Sequence, residues 1–179
     1  MVPTQPGVPI WPSSLEGIAK CNLLPIWKAK VEPKCRFFAW TLLHNKILTA
    51  ENLQKRGWSN DPICRLCKQE PEAITHLFQN CIFTRAVWAQ LSHWLDLALL
   101  PGMAQSSSIY TWWNKCRAKV DKCSRREFDG LIILFWWEIW KERNRRTFQS
   151  LEKSECVIAG LIKDVFGQQR IANSFDFGC

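Results

Sequence analysis

Cys64, Cys67, His76 and Cys81 constrain this chain more than any other feature. Two residues separate the first pair, eight lie between Cys67 and His76, and four between His76 and Cys81. A Cys-x-x-Cys turn lets both sulfurs point at a common centre, and zinc takes four such soft or borderline donors in a tetrahedron. The set leaves no ligand position open, so it reads as a structural site and not a hydrolytic one. Residues five apart on one continuous α-helix lie about 140° apart around its axis. His76 and Cys81 therefore share an ion only if the helix is interrupted between them. The expected interruption is at Asn80, a residue tolerated in the left-handed conformation that ends helices. A redox role for Cys64 and Cys67 fits less well, because a turn cluster (Asn60, Asp61, Pro62) leads into the pair and no strand does.

The remaining cysteines sharpen that reading. Nine is an odd count, the spacings are irregular, and the opening residues Met1 to Pro12 carry neither a basic n-region nor an apolar h-region. A disulfide framework is not expected, and clustered cysteines then point to metal. Cys116 and Cys123 are seven apart and are candidates for one helical face; the other thiols, like the lone His44 and His93, read as ordinary core or surface residues. The longest apolar run, Leu131 to Trp137, is far shorter than the roughly 18 residues of a membrane span. The expectation is a soluble chain, nuclear or cytoplasmic and not secreted, with no membrane partner.

Twenty-four Lys and Arg against sixteen Asp and Glu give a net charge of +8, a balance that favours polyanionic partners. The charge is spread out: ten basic and five acidic residues lie between Lys28 and Arg85, and again between Lys115 and Arg146. Eleven Trp and ten Phe are first of all core material. Stacking on nucleic-acid bases would need exposed rings beside Lys or Arg.

The periodicity predicts a mostly α fold. Pro3, Pro6, Pro9 and Pro12 mark an extended lead-in. Pro33 opens a helix through Phe37, Phe38, Trp40 and Leu43. Thr49 caps a short helix to Arg56 that Gly57 ends. Glu72 to Gln79 forms a short helix, and Thr84 caps another with Val87, Trp88, Leu91, Trp94 and Leu95 on one face. Tyr110, Trp113, Cys116 and Val120 share a helix. The longest runs from Arg126 to Phe148, with its first half apolar all round and its second half polar. The cations of that second half suit a helix C-terminus, and Glu138 and Glu142 are placed to pair with residues four along. Ser154 and Glu155 open a last helix with Val157, Ile158, Leu161, Ile162, Val165 and Phe166 on one side, ending at Gly167. The expected organisation is a flexible lead-in (1–25), a compact zinc-binding domain (26–100) with a zinc-knuckle loop, a C-terminal helical extension packing on it (101–170), and a frayed tail (171–179).

The chain resembles the plant reverse-transcriptase zinc-binding domain, a module of LINE-type, non-LTR retrotransposon proteins. The matching residues are Ile26-Trp27-Lys28, Pro33 to Trp40, Leu48 to Leu53, Arg56-Gly57-Trp58, the Cys64–Cys67 pair, Glu70 and Glu72, His76-Leu77-Phe78, Cys81, and Val87-Trp88. Trp137 to Asn144 resembles a helix that follows the domain in such proteins. The family often has proline after the last cysteine, where this chain has Ile82. The resemblance implies zinc binding and a nucleic-acid setting; it transfers no polymerase or nuclease activity to this chain.

The expected function is a non-catalytic module that binds RNA or DNA around a structural zinc. Lys34, Arg36, Lys55, Arg56, Arg65 and Lys68, near the knuckle in sequence, are the candidate phosphate contacts. The alternative is a structural or protein-interaction domain without nucleic-acid binding. No paired carboxylates in a motif, phosphate-cradling glycine loop or nucleophile with its base points to an enzyme.

Overall fold

The structure is a computed structural model that describes residues 22–95, 103 and 106–174. Within these the fold is helical, and the one extended pairing is an isolated bridge between Ile63 and Pro71. Seven α-helices follow one another: α1 (Leu24–Lys28), α2 (Pro33–Leu43), α3 (Ala50–Lys55), α4 (Ile82–Trp94), α5 (Ile109–Ala118), α6 (Arg125–Phe148) and α7 (Glu155–Ser174), with a π-helical turn at His76–Asn80 before α4. No helix among the described residues is long and apolar enough to cross a membrane. Most of the proline-rich lead-in lies outside the described residues, as do 175–179.

Local chemistry accounts for most boundaries. Pro33 starts α2, where its missing N–H costs no hydrogen bond. Thr49 caps α3 by accepting from the Asn52 N–H, and the exit is a full Schellman motif. There Trp58 N–H donates to Leu53 O and Gly57 N–H to Gln54 O, with Gly57 at φ +80°. Ser108 caps α5 through the Thr111 N–H, and Ser154 reaches the Val157 N–H at the start of α7.

Several expectations need correction. α1 falls where only a lead-in and its edge were expected; Pro25 stands in its first turn. Thr84 does not cap α4, which begins at Ile82; it sits one turn in, buried, and donates its hydroxyl to Leu77 O at 2.7 Å. Val120 lies beyond α5. Cys116 is buried on α5 while Cys123 is exposed in the following turn, so they share no face. Gly167 does not end α7, because the good helix formers after it carry the helix on to Ser174. Val157 is exposed, one step off the buried face of Ile158, Ile162 and Phe166.

α6 is the centre of the packing. It touches α1, α2, α5 and α7, and α7 in turn lies along α4. From Phe128 to Trp136 every residue of α6 is buried, as the all-round apolar pattern predicts. Trp112, Trp113, Trp136 and Phe135 fill the interior, with Trp88 set edge-on to Trp112 and Trp113 edge-on to Trp136. Asp129 is buried among these rings and satisfied by Trp113 Nε1 and by Arg117 Nε. Gly130 marks a close approach: a Cβ there would sit 2.4 Å from Lys30 O. The α1–α2 connection lies against α6 at that point, joined by Lys30 N–H to Arg126 O and by Arg126 Nε to Lys28 O.

Candidate metal centre

The segment from Gly57 to Cys81 has little regular structure of its own, yet it brings four ligand-type side chains to one point. One donor atom from each of Cys64, Cys67, His76 and Cys81 lies within 4.8 Å of the others. Cys64, His76 and Cys81 are buried and Cys67 is partly exposed. Tetrahedral zinc with bonds of about 2.0–2.3 Å places its donors roughly 3.5–3.8 Å apart, so a small contraction completes the shell. Three thiols and one imidazole are a donor set that selects zinc.

The backbone explains the convergence. Lys68 N–H closes a turn on Cys64 O at 2.8 Å, and Cys64 N–H bonds Glu70 O, which folds the pair into a knuckle. Lys68 takes a left-handed conformation, φ +57°, to make that turn. The second pair uses a device that the sequence does not announce. The helix does break before Cys81, but not through a left-handed Asn80. Residues 76–80 form a π turn in which Cys81 N–H donates to His76 O at 2.7 Å, and Cys81 itself is extended at φ −56°, ψ 130°. A turn closed over five residues brings i and i+5 back together, which removes the angular conflict of an ordinary α-helix. Gln79, in the same turn, donates to Met103 O and Ser106 O and holds the loop after α4.

The donors already compete for protons, as ligands of one cation do. The Cys64 thiol is pushed up to about 12, first by its hydrogen bond to Cys81 and then by burial. The same bond pulls Cys81 below the ordinary thiol value, helped by the Thr84 and Phe83 amides at the start of α4. His76 is pushed up to about 9, chiefly by its hydrogen bond with Cys64. Its Nε2 faces the cluster, 3.3 Å from Cys67 Sγ. Its Nδ1 lies 3.1 Å from Glu70 Oε2, within ion-pair range although off the line of a hydrogen bond. A carboxylate on the outer nitrogen orients a metal-bound imidazole. Zinc held by these four residues neutralises the thiolates and cross-links the two halves of the segment.

A polar shell behind the site is absent from the sequence reading. Glu72, fully buried, accepts the Ala50 N–H at the start of α3 and grips Arg143 of α6 through Nε and Nη2, the latter at 2.7 Å. Arg146 donates to Leu66 O inside the knuckle and to Lys153 O, stacks over Phe83 at 4.5 Å, and pairs with Glu142 at 2.8 Å. The polar half of α6 is thus partly buried, and its cations do more than complement the macrodipole. Glu142 does pair four residues along, and also with Arg145; Glu138 instead pairs three along with Lys141, since position 142 is another Glu. The available signal was the run of charges on a helix that is otherwise apolar.

The six candidate phosphate contacts are exposed or half-exposed. Five have local partners: Lys34 with Glu32, Arg36 with Trp27 O, Lys55 with Glu51, Arg65 with Asp61 and Lys68 with Glu152. Arg56 stands at the exposed C-cap of α3.

Comparison with known proteins agrees with this centre. A putative ribonuclease H protein from Arabidopsis thaliana is 22% identical over 136 residues, covering 73% of this chain. The chain spans only 20% of that relative's length. No solved structure matches at a significant level. The family described as zinc-binding in reverse transcriptase matches residues 13–88, which contain all four ligands and every element from α1 to the second turn of α4. Residues 13–88 are thus similar to the zinc-binding domain found in reverse transcriptases.

Proposed function

We propose that this chain is a non-catalytic, retrotransposon-derived module that binds RNA or DNA, its zinc holding the knuckle in shape. The observation that carries the reading is the closed Cys3His centre: four donors converge and leave no vacant position for a reacting group. The net charge of +8 favours a polyanion. The Arabidopsis relative's name as a putative ribonuclease H protein supports a nucleic-acid setting, and its source supports a plant origin. In this reading residues 26–100 are the zinc-binding unit, 101–170 the helical part that supports it, and the protein works in the nucleus or cytoplasm. Lys34, Arg36, Lys55, Arg56, Arg65 and Lys68 supply phosphate contacts that give affinity without reading sequence.

The test is titration of the zinc-loaded chain with RNA and DNA at several salt concentrations. Binding that weakens steeply with salt is expected; no binding at low salt overturns the proposal. One observation favours a second reading, a structural or protein-interaction domain: five of the six cations already have partners within the chain. A folded, zinc-loaded protein without nucleic-acid affinity is the result that reading expects.

A further inference from the structure

α2 is apolar on two opposite sides. Cys35, Phe38, Ala39 and Leu42 face the core. Phe37, Trp40 and His44 recur at spacings of three and four on the other side; Trp40 packs partly against the core, while Phe37 lies outside it. Phe37 is 60% exposed. Its ring lies nearly parallel to that of Trp40, centroids 6.0 Å apart, and Trp40 in turn meets His44 at 4.3 Å. The three rings form one continuous ladder. Arg36 and Lys34 lie to either side of it on the helix surface. Arg36 also bonds Trp27 O at 2.9 Å, which sets the end of α1, with Trp27 46% exposed, beside the ladder.

The charge of this region is one-sided. Between Lys28 and Lys46 the chain carries five Lys and Arg and a single acid, Glu32, so this stretch holds +4 of the total +8. Its ion pair with Lys34 is exposed at both ends, the kind that contributes little and exchanges readily for a phosphate. Arg36 spends one N–H group on Trp27 O, and a guanidinium has five.

We propose that the outward face of α2 – Phe37, Trp40 and His44, flanked by Lys34 and Arg36 – is a stacking platform for single-stranded nucleic acid. An exposed ring in series with two half-buried ones, beside cations, matches the two things a single strand offers, unpaired base faces and a phosphate chain. An apolar protein partner would match the rings and leave the cations unanswered; a duplex would match the cations and leave the rings unused. The inference rests on the nucleic-acid reading above and adds the strand type and the surface.

The test uses the full zinc-loaded chain, with labelled oligouridine, oligothymidine and a DNA duplex as probes in an anisotropy titration. Phe37→Ser is the main variant, since that side chain is largely exposed and its loss spares the core. Phe37→Ser/Trp40→Ser is the stronger one, and Phe148→Ser, an exposed ring at the end of α6, is the control. Expected are a loss of roughly tenfold in single-strand affinity for Phe37→Ser, more for the double variant, and none for the control. The salt dependence should persist in the aromatic variants and flatten in Lys34→Gln/Arg36→Gln. Wild-type binding that Phe37→Ser leaves unchanged, or an equal loss on duplex DNA, overturns the platform and spares the broader reading. Self-association that Phe37→Ser abolishes, with single-strand affinity intact, also overturns it and assigns the face to a second copy. A wild type that binds no probe at low salt removes both proposals together.

Discussion

The knuckle and the helical core hold themselves together by different means. Around α5 and α6 the interior is large and apolar, with three fully buried tryptophans and a nine-residue stretch of α6 without exposure. Such a core is stabilised by area removed from water and tolerates local loss. The segment from Gly57 to Cys81 has one isolated bridge and one π turn. It is organised by four ligands, the Glu72–Arg143 pair and the Arg146 contact to Leu66 O. Metal and buried ion pairs add there to a small apolar share, supplied by Leu66, Leu77 and Phe78.

Removing the metal separates the two regions most strongly. Chelation, or Cys64→Ser, should take bound zinc from about one per chain to near zero. Hydrogen exchange should then show lost protection between Gly57 and Cys81 while the centre of α6 stays protected. Equal loss in both would mean that the core depends on the knuckle throughout.

Next in size is the bridge between the regions. Arg143→Ala leaves Glu72 charged and buried and should cost about 3–5 kcal/mol in chemical denaturation. Replacing both partners with methionine should cost less than Arg143→Ala, because it removes the orphan charge along with the pair and leaves only the buried Ala50 N–H unpaired. Arg146→Ala acts on the knuckle from outside: zinc affinity in a competition titration should fall roughly tenfold or more, as loss of a supporting contact does at other metal sites. An unchanged affinity would show that the knuckle needs no help from α6.

Two smaller changes probe the core side and the local signals. Gly130→Ala gains helix propensity but drives a Cβ against Lys30 O, so a net loss of about 1–3 kcal/mol is expected. Thr49→Ala removes the cap of α3 and should cost about 1 kcal/mol.

The identity of the ligands was legible in the sequence, because cysteine and histidine at those spacings have few other uses. The start of α2 at Pro33, the Thr49 cap, the Gly57 exit and the buried run of α6 were legible for the same reason. Each is set by residues next to one another in the chain, and local sterics or periodicity act at that range. The six candidate cations show the opposite limit. Their identity is local, but whether each is spent within the chain depends on neighbours such as Glu152, distant from Lys68 in sequence.

By itself, then, the sequence determined a helical chain with one closed zinc set and a basic surplus. It also required a break between His76 and Cys81, from helix geometry alone. Only the tertiary structure decided how that break is made, by a π turn where a left-handed Asn80 was expected. It alone revealed that Arg143 and Arg146 turn inward to Glu72 and Leu66 O, and that α2 shows aromatic rings on its outer face. These depend on which surfaces meet at long range, and a charge or a ring carries the same letter in the sequence whether it is buried, paired or free.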